Sequence, residues 1–167
     1  MSQRTNKVFK DMPNYTFMNR TTPLKNNKQY IKDMDMGFNA EDVMKPHLER
    51  TFGALTKLGK WSPFDYENAE YVIELKTRRC NHNSFDRDGG LMFNYSKIAK
   101  IENYGSKKVV FAFNCLDGLY YWDYDATNYT TAIGGRSDRG CVEMREMAKV
   151  LSSDMKEIEK PTICLLD

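Results

Sequence analysis

Ser62-Pro63-Phe64-Asp65-Tyr66-Glu67-Asn68-Ala69-Glu70-Tyr71-Val72-Ile73-Glu74-Leu75-Lys76-Thr77-Arg78-Arg79 is the stretch from which the fold is read. Tyr71, Ile73 and Leu75 alternate with Val72, Glu74 and Lys76, the period of a β-strand. One face suits a core. The other carries Val72, Glu74 and Lys76, so the carboxylate and the ammonium project together. Trp61 to Tyr66 reads as a short aromatic strand, and Glu67-Asn68-Ala69-Glu70 as the turn between the two. A four-residue turn pairs Tyr66 with Tyr71 and Asp65 with Val72, making Asp65 the diagonal neighbour of Glu74 at about 7–8 Å. Two carboxylates at that spacing can hold one hard divalent cation, with Lys76 beside it. A one-residue slip would send Asp65 to the other face.

Asp65 followed by Glu74-Leu75-Lys76 after a short hairpin resembles the signature of the PD-(D/E)xK nuclease superfamily, with the Pro-Asp pair loosened to Pro63-Phe64-Asp65. Restriction endonucleases, Holliday-junction resolvases and phage exonucleases belong to that superfamily. The resemblance spans residues 39 to 167. Acid-x-Lys alone is a weak signal, expected about once or twice by chance in a chain of this size. Asp154-Met155-Lys156 is a second match, but it lacks an alternating apolar face and a preceding Asp hairpin, and reads as solvated surface.

The resemblance implies an α/β fold: a mixed central sheet flanked by helices, with a restriction-endonuclease-like core and an N-terminal extension. It implies phosphodiester hydrolysis, usually of DNA. Asp65, Glu74 and the Leu75 carbonyl would ligate Mg²⁺ or Mn²⁺, since hard cations favour oxygen donors. Lys76 would orient or deprotonate the attacking water and steady the charge growing on phosphorus. The superfamily's first helix often adds an acidic ligand. Glu49 is the first choice for it here and Glu41 the second. A basic residue often faces the site from the helix after the Glu-x-Lys strand, and Lys97 resembles it. Many such nucleases act as homodimers.

Length and composition bound these expectations. A chain of 167 residues with 41 % hydrophobic and 29 % charged residues suits one soluble domain with a sizeable core. Net charge is +2, of which residues 1–38 contribute +4, leaving −2 for the rest. Any nucleic-acid surface is therefore a local patch. Arg78 and Arg79 follow the Glu-x-Lys strand, where a phosphate backbone would lie. Arg136 and Arg139 sit in a loop expected at Gly134–Gly140, and Lys100 lies near Lys97. These are the phosphate-binding candidates. Cys80, Cys115, Cys141 and Cys164 lack metal spacing, as do His47 and His82, so free thiols in a reducing compartment are expected. No apolar run is long enough to span a membrane. The expected setting is cytoplasmic, and the Asn-, Lys- and Tyr-rich make-up fits a phage or virus.

Residues 1–38 read as a basic polar arm and 39–167 as the nuclease-like domain. The spacing predicts a helix over 39–58, with Asn39 as N-cap, Gly59 as stop, and Pro46 awkward inside it. A second helix is expected over 94–104, with Tyr95, Ile98 and Ile101 at apolar spacing. Lys107–Cys115 reads as a buried strand and Asp117-Gly118 as a hairpin turn into Leu119–Tyr124. That aromatic strand reads as core rather than as a base-stacking surface. Residues 141–159 read as helix or strand, and 161–166 as a short apolar strand or plug. Two other functions stay open: a catalytically silent nucleic-acid-binding or assembly protein of the same fold, and an unrelated interaction module.

Overall fold

The computed structural model describes residues 28–136 and 143–160. Helix α1 (Lys28–Phe52) leads into β1 (Thr56–Lys57), β2 (Tyr66–Glu67), β3 (Tyr71–Thr77), β4 (Leu91–Asn94), a 3₁₀ helix (Tyr95–Tyr104), β5 (Lys108–Cys115), β6 (Gly118–Asp123), β7 (Thr130–Arg136), β8 (Glu143–Val150) and β9 (Lys156–Glu159). The class is mixed α/β, and strands dominate. A six-stranded mixed sheet has the order β1-β2-β3-β5-β6-β9, and a three-stranded antiparallel sheet has the order β4-β8-β7.

The layering follows from β5, which pairs parallel with β3 and antiparallel with β6. A strand paired on both edges is covered on both faces only if both are apolar. Val109, Phe111, Phe113 and Cys115 point into one core, shared with Leu91, Phe93, Trp122, Ala148 and Val150. Val110 and Ala112 point into the other, shared with Met44, Leu48 and Phe52 of α1. One face of the large sheet is thus packed by α1. The other is packed by the small sheet and the 3₁₀ helix. The expected mixed central sheet is present, and of the helices expected to flank it α1 takes one face while the 3₁₀ helix shares the other with a second sheet.

Several boundaries differ from the sequence reading. Helix α1 begins at Lys28, so residues 28–38, expected as irregular arm, are helical. It runs past Asn39 and through Pro46, and ends at Phe52 instead of 58. Gly53, at φ 79°, takes the left-handed conformation that stops it and donates to the Glu49 carbonyl at 2.9 Å. Residues 94–104 form the expected helix, but of 3₁₀ type, with the Asn94 side chain accepting from Ser96 N–H. Tyr95, Ile98, Ile101 and Tyr104 recur every third residue, and three residues per turn puts them on one face against the core. Gly134–Arg136, read as loop, belongs to β7. Residues 141–159, left open between helix and strand, supply β8 and β9. The β5–β6 turn is Leu116–Asp117, since Cys115 pairs with Gly118. Trp122 and Tyr120 are buried, which upholds the core reading of the aromatic strand. The expected apolar ending at 161–166 lies outside the described residues.

The β2–β3 register also shifts by two residues: Tyr66 pairs with Ile73 and Glu67 with Val72. Asn68 is the cause. Its Oδ1 accepts from Glu70 and Tyr71 N–H at 2.9 and 2.8 Å, and its backbone N–H donates to the Tyr71 carbonyl. Asn68 thereby closes a tight turn around Ala69–Glu70, where an Asn side chain mimics a backbone turn. Its Nδ2 donates to the Phe52 and Ala54 carbonyls, tying the end of α1 to this hairpin. Replacing Asn68 with Ala is expected to cost about 2 kcal/mol. The check is a lower urea midpoint at unchanged slope.

Candidate active site

The site is built from β3 outward. Val72, Glu74 and Lys76 share a face, as the alternation requires, but that face is not open to water. Glu74 is 0 % exposed and is the one buried charged side chain among the described residues. Its carboxylate is answered from two sides. The Lys76 ammonium bonds one oxygen from along the strand, and Lys97, projecting from the 3₁₀ helix, lies 3.0 Å away. Lys97 also donates to the Pro63 carbonyl and sits 5.9 Å from the Phe64 ring centroid. The 3₁₀ helix thus roofs Glu74 and pins the loop that leads into Asp65.

Asp65 follows Phe64, whose ring is buried against Tyr104 and Phe111. The ladder is irregular here, because Asp65 N–H bonds the carbonyl of Ile73, already the partner of Tyr66. The Asp65 carboxylate turns to the edge of β3 and accepts the Leu75 N–H at 2.7 Å. Backbone groups two residues apart on a strand point the same way, so the Leu75 carbonyl faces the same edge as Ile73's. Asp65, Glu74, Leu75 and Lys76 are thereby brought together, with Lys97 as a fifth member. A two-residue register shift keeps faces unchanged, which is why the grouping survives the corrected pairing.

Burial pushes the Asp65 carboxyl up to about 7, and the Glu74 carboxylate adds to the rise. The Lys76 ammonium and the Leu75 N–H pull against them, while Glu41 adds a last upward push. A carboxyl that holds its proton more tightly folded than unfolded favours the native state at low pH. Its contribution is lost as pH climbs from 3.8 to about 7. A tenfold difference in proton affinity is worth about 1.4 kcal/mol. Asp65→Asn is therefore expected to be more stable than the parent at pH 8, by roughly 2 kcal/mol or more. The difference should vanish near pH 4, as read from urea midpoints across that range.

The other expected residues are distributed as follows. Glu49 is held below the usual carboxylate range by Lys45 and by the Leu55 N–H, at 2.7 and 2.9 Å, and serves the end of α1. It is not among the groups that perturb Asp65, whereas Glu41, the second choice, is. Glu41 is also fixed nearby, its carbonyl accepting from the buried Tyr66 hydroxyl and its carboxylate lying 3.2 Å from Lys57. Arg78 donates to the Met92 and Thr77 carbonyls at 2.7 and 3.2 Å, a bond that fastens β4 to the end of β3. Arg78, the first phosphate-binding candidate, thus also has a structural task. Arg79 and Lys100 are exposed, each three residues beyond a site lysine. Arg139 and the Arg136 side chain lie outside the described residues.

Two carboxylates and a backbone carbonyl form an oxygen donor set that fits Mg²⁺ or Mn²⁺. Mg²⁺ is commonly held by one or two carboxylates, with waters and substrate phosphate filling the remainder. Among the described residues no cluster of three or more His, Cys, Asp and Glu side chains is arranged for a metal, so the pair is the whole acidic contribution. No helix among them is long and apolar enough to cross a membrane. Comparison with protein-family models, with curated proteins and with solved structures finds no match to this chain.

Trp61 is the residue that sequence reading passes over, as the start of a strand. It is 92 % exposed. The signal is its setting in Gly59-Lys60-Trp61-Ser62-Pro63, a run of turn formers in which a core residue has no place.

Proposed function

We propose that this chain is a metal-dependent nuclease of restriction-endonuclease-like type, hydrolysing phosphodiester bonds in DNA. One observation carries the reading: a fully enclosed Glu74, flanked by Lys76 and Lys97, lies next to a carboxyl of raised proton affinity on the adjoining segment. A perturbed carboxyl set beside a buried charge and two cations is the kind of arrangement that active sites use. A Mg²⁺ or Mn²⁺ ion held by Asp65, Glu74 and the Leu75 carbonyl would supply Lewis acidity and a bound water of lowered pKa. Lys76 orients the water and steadies charge on the phosphate oxygens. Lys97 holds Glu74 in place and adds a second positive charge. Arg79 and Lys100 contact the flanking backbone.

One observation favours a catalytically silent nucleic-acid-binding protein instead. The Glu74 carboxylate already has two ammonium partners, as a purely structural buried charge would. A single experiment separates the readings. Labelled linear, nicked, branched and single-stranded DNA, and single-stranded RNA, are incubated with Mg²⁺, Mn²⁺ or EDTA. Shorter products in the cation arms alone, from DNA, are expected. Retained binding without cleavage in any arm would select the silent protein.

A further inference from the structure

We infer that Trp61 is a stacking platform for an unpaired nucleobase next to the phosphodiester site, so that the preferred substrate carries single-stranded character at the cut. The inference rests on the nuclease reading and names its substrate class. Trp61 stands four residues ahead of Asp65 in the loop that positions it. That loop is tied at its base, where Leu58 N–H donates to the Asp65 carbonyl at 2.7 Å. It is tied at its tip, where Ser62 N–H donates to the Gly59 carbonyl at 2.8 Å and Phe64 N–H to Ser62 Oγ at 3.3 Å. The 3₁₀ helix holds its flank: Lys97 bonds the Pro63 carbonyl, and the Tyr104 hydroxyl lies 3.5 Å from Ser62 Oγ. The indole is therefore displayed on a fixed support.

The surroundings of the ring select the occupant. A protein partner would ask for a contiguous apolar patch around an anchoring Trp. Here the residues flanking it in the chain are Gly59, Lys60 and Ser62, none of them a large apolar group, and the Lys60 ammonium lies 5.5 Å from the ring centroid. An aromatic face bordered by the Lys60 cation, with exposed Lys100 on the helix that holds the loop, is the combination that grips a single strand: stacking for the base and positive charge for the phosphates. In an intact duplex the base faces are hidden in their own stack. Trp61 then has nothing to meet, and only the lysines contribute.

The test uses the full chain in EDTA, where no cleavage intervenes, with an oligothymidylate and a blunt duplex of equal length as probes. Trp122 is buried and Trp61 exposed, so quenching of the indole emission by oligothymidylate should vanish in Trp61→Phe. Trp61→Ala should weaken oligothymidylate binding about tenfold or more, and Trp61→Phe should recover most of it. Duplex binding should change less than about twofold. Undiminished single-strand affinity in Trp61→Ala, or an equal loss on both probes, overturns the inference. A chain that binds through Trp61 yet cleaves nothing in Mg²⁺ overturns the nuclease reading alone. Cleavage whose single-strand preference survives Trp61→Ala overturns the stacking platform alone.

Discussion

Lys76→Met should lower Mg²⁺-dependent phosphodiester cleavage by about 10²-fold or more, and Asp65→Asn and Glu74→Gln should do the same. On the proposed nuclease reading each removes a group set against charge that develops in the transition state, and losing one such group costs about 10²–10³ in rate. The variants differ in what else they disturb. Asp65→Asn keeps an oxygen for the Leu75 N–H. Glu74→Gln leaves two ammonium groups facing a neutral amide. Lys76→Met leaves Glu74 to Lys97 alone. Circular dichroism and a thermal midpoint on each variant separate lost chemistry from lost fold. Lys76→Met and Asp65→Asn that stay folded and still cleave at the parent rate would rule out a catalytic role for this group. An equal loss in Glu74→Gln with the fold intact would complete the set.

Lys97→Met is expected to destabilise the protein by about 2 kcal/mol or more. Removing the sole partner of a buried charge costs about 3–5 kcal/mol, and Lys76 remains to offset part of that. The Glu74 carboxylate is wholly enclosed, and Lys97 is one of its two cationic partners. The loop at Pro63 also loses its bond from Lys97. Lys97→Arg should recover much of the loss, because the charge is kept though the reach differs. Urea unfolding at pH 7 measures both. A Lys97→Met protein as stable as the parent would mean that Glu74 is satisfied by Lys76 without help.

Both predictions depend on a burial that the sequence does not disclose. Alternation along residues 71–77 identifies which side chains of β3 share a face, and the structure agrees. It says nothing about what covers the face. The cover comes from β4 and the 3₁₀ helix, held in turn by β8, whose Val150 pairs with Leu91 across a wide gap in sequence. Local periodicity cannot register such a pairing. In the sequence Glu74 therefore looks like a group on an open polar surface, whose replacement the fold would tolerate. The structure makes it a buried charge, and its loss a matter of stability as well as chemistry.

What is legible is local. The β5–β6 hairpin follows from a continuous apolar run and a turn, and a helix near 94–104, though not its 3₁₀ type, from the spacing of Tyr95, Ile98 and Ile101. The Lys97 contact with Glu74 is anticipated by resemblance, not by spacing. The early start of α1 is hidden because Asn39, a good N-cap, offers an apparent start inside the helix. Gly134-Gly135 reads as a loop because glycine is disfavoured in strands, yet Gly134 lies close under the Met147 side chain, where a larger residue would crowd it. The Arg78 bonds to main-chain carbonyls are hidden because charge alone does not reveal them. Glu49 and Glu41 become separable only once the end of α1 is known.

The second sheet has one further consequence, for the order in which the protein is made. β4 leaves the ribosome long before β8, its partner across Leu91–Val150 and Asn94–Met147. Until β8 emerges, Leu91 and Phe93 have no opposite strand, and the nascent chain carries an unsatisfied edge. The small sheet is thus completed only after β8 has emerged, and a chain terminated before Val150 would keep that edge open and be prone to clump.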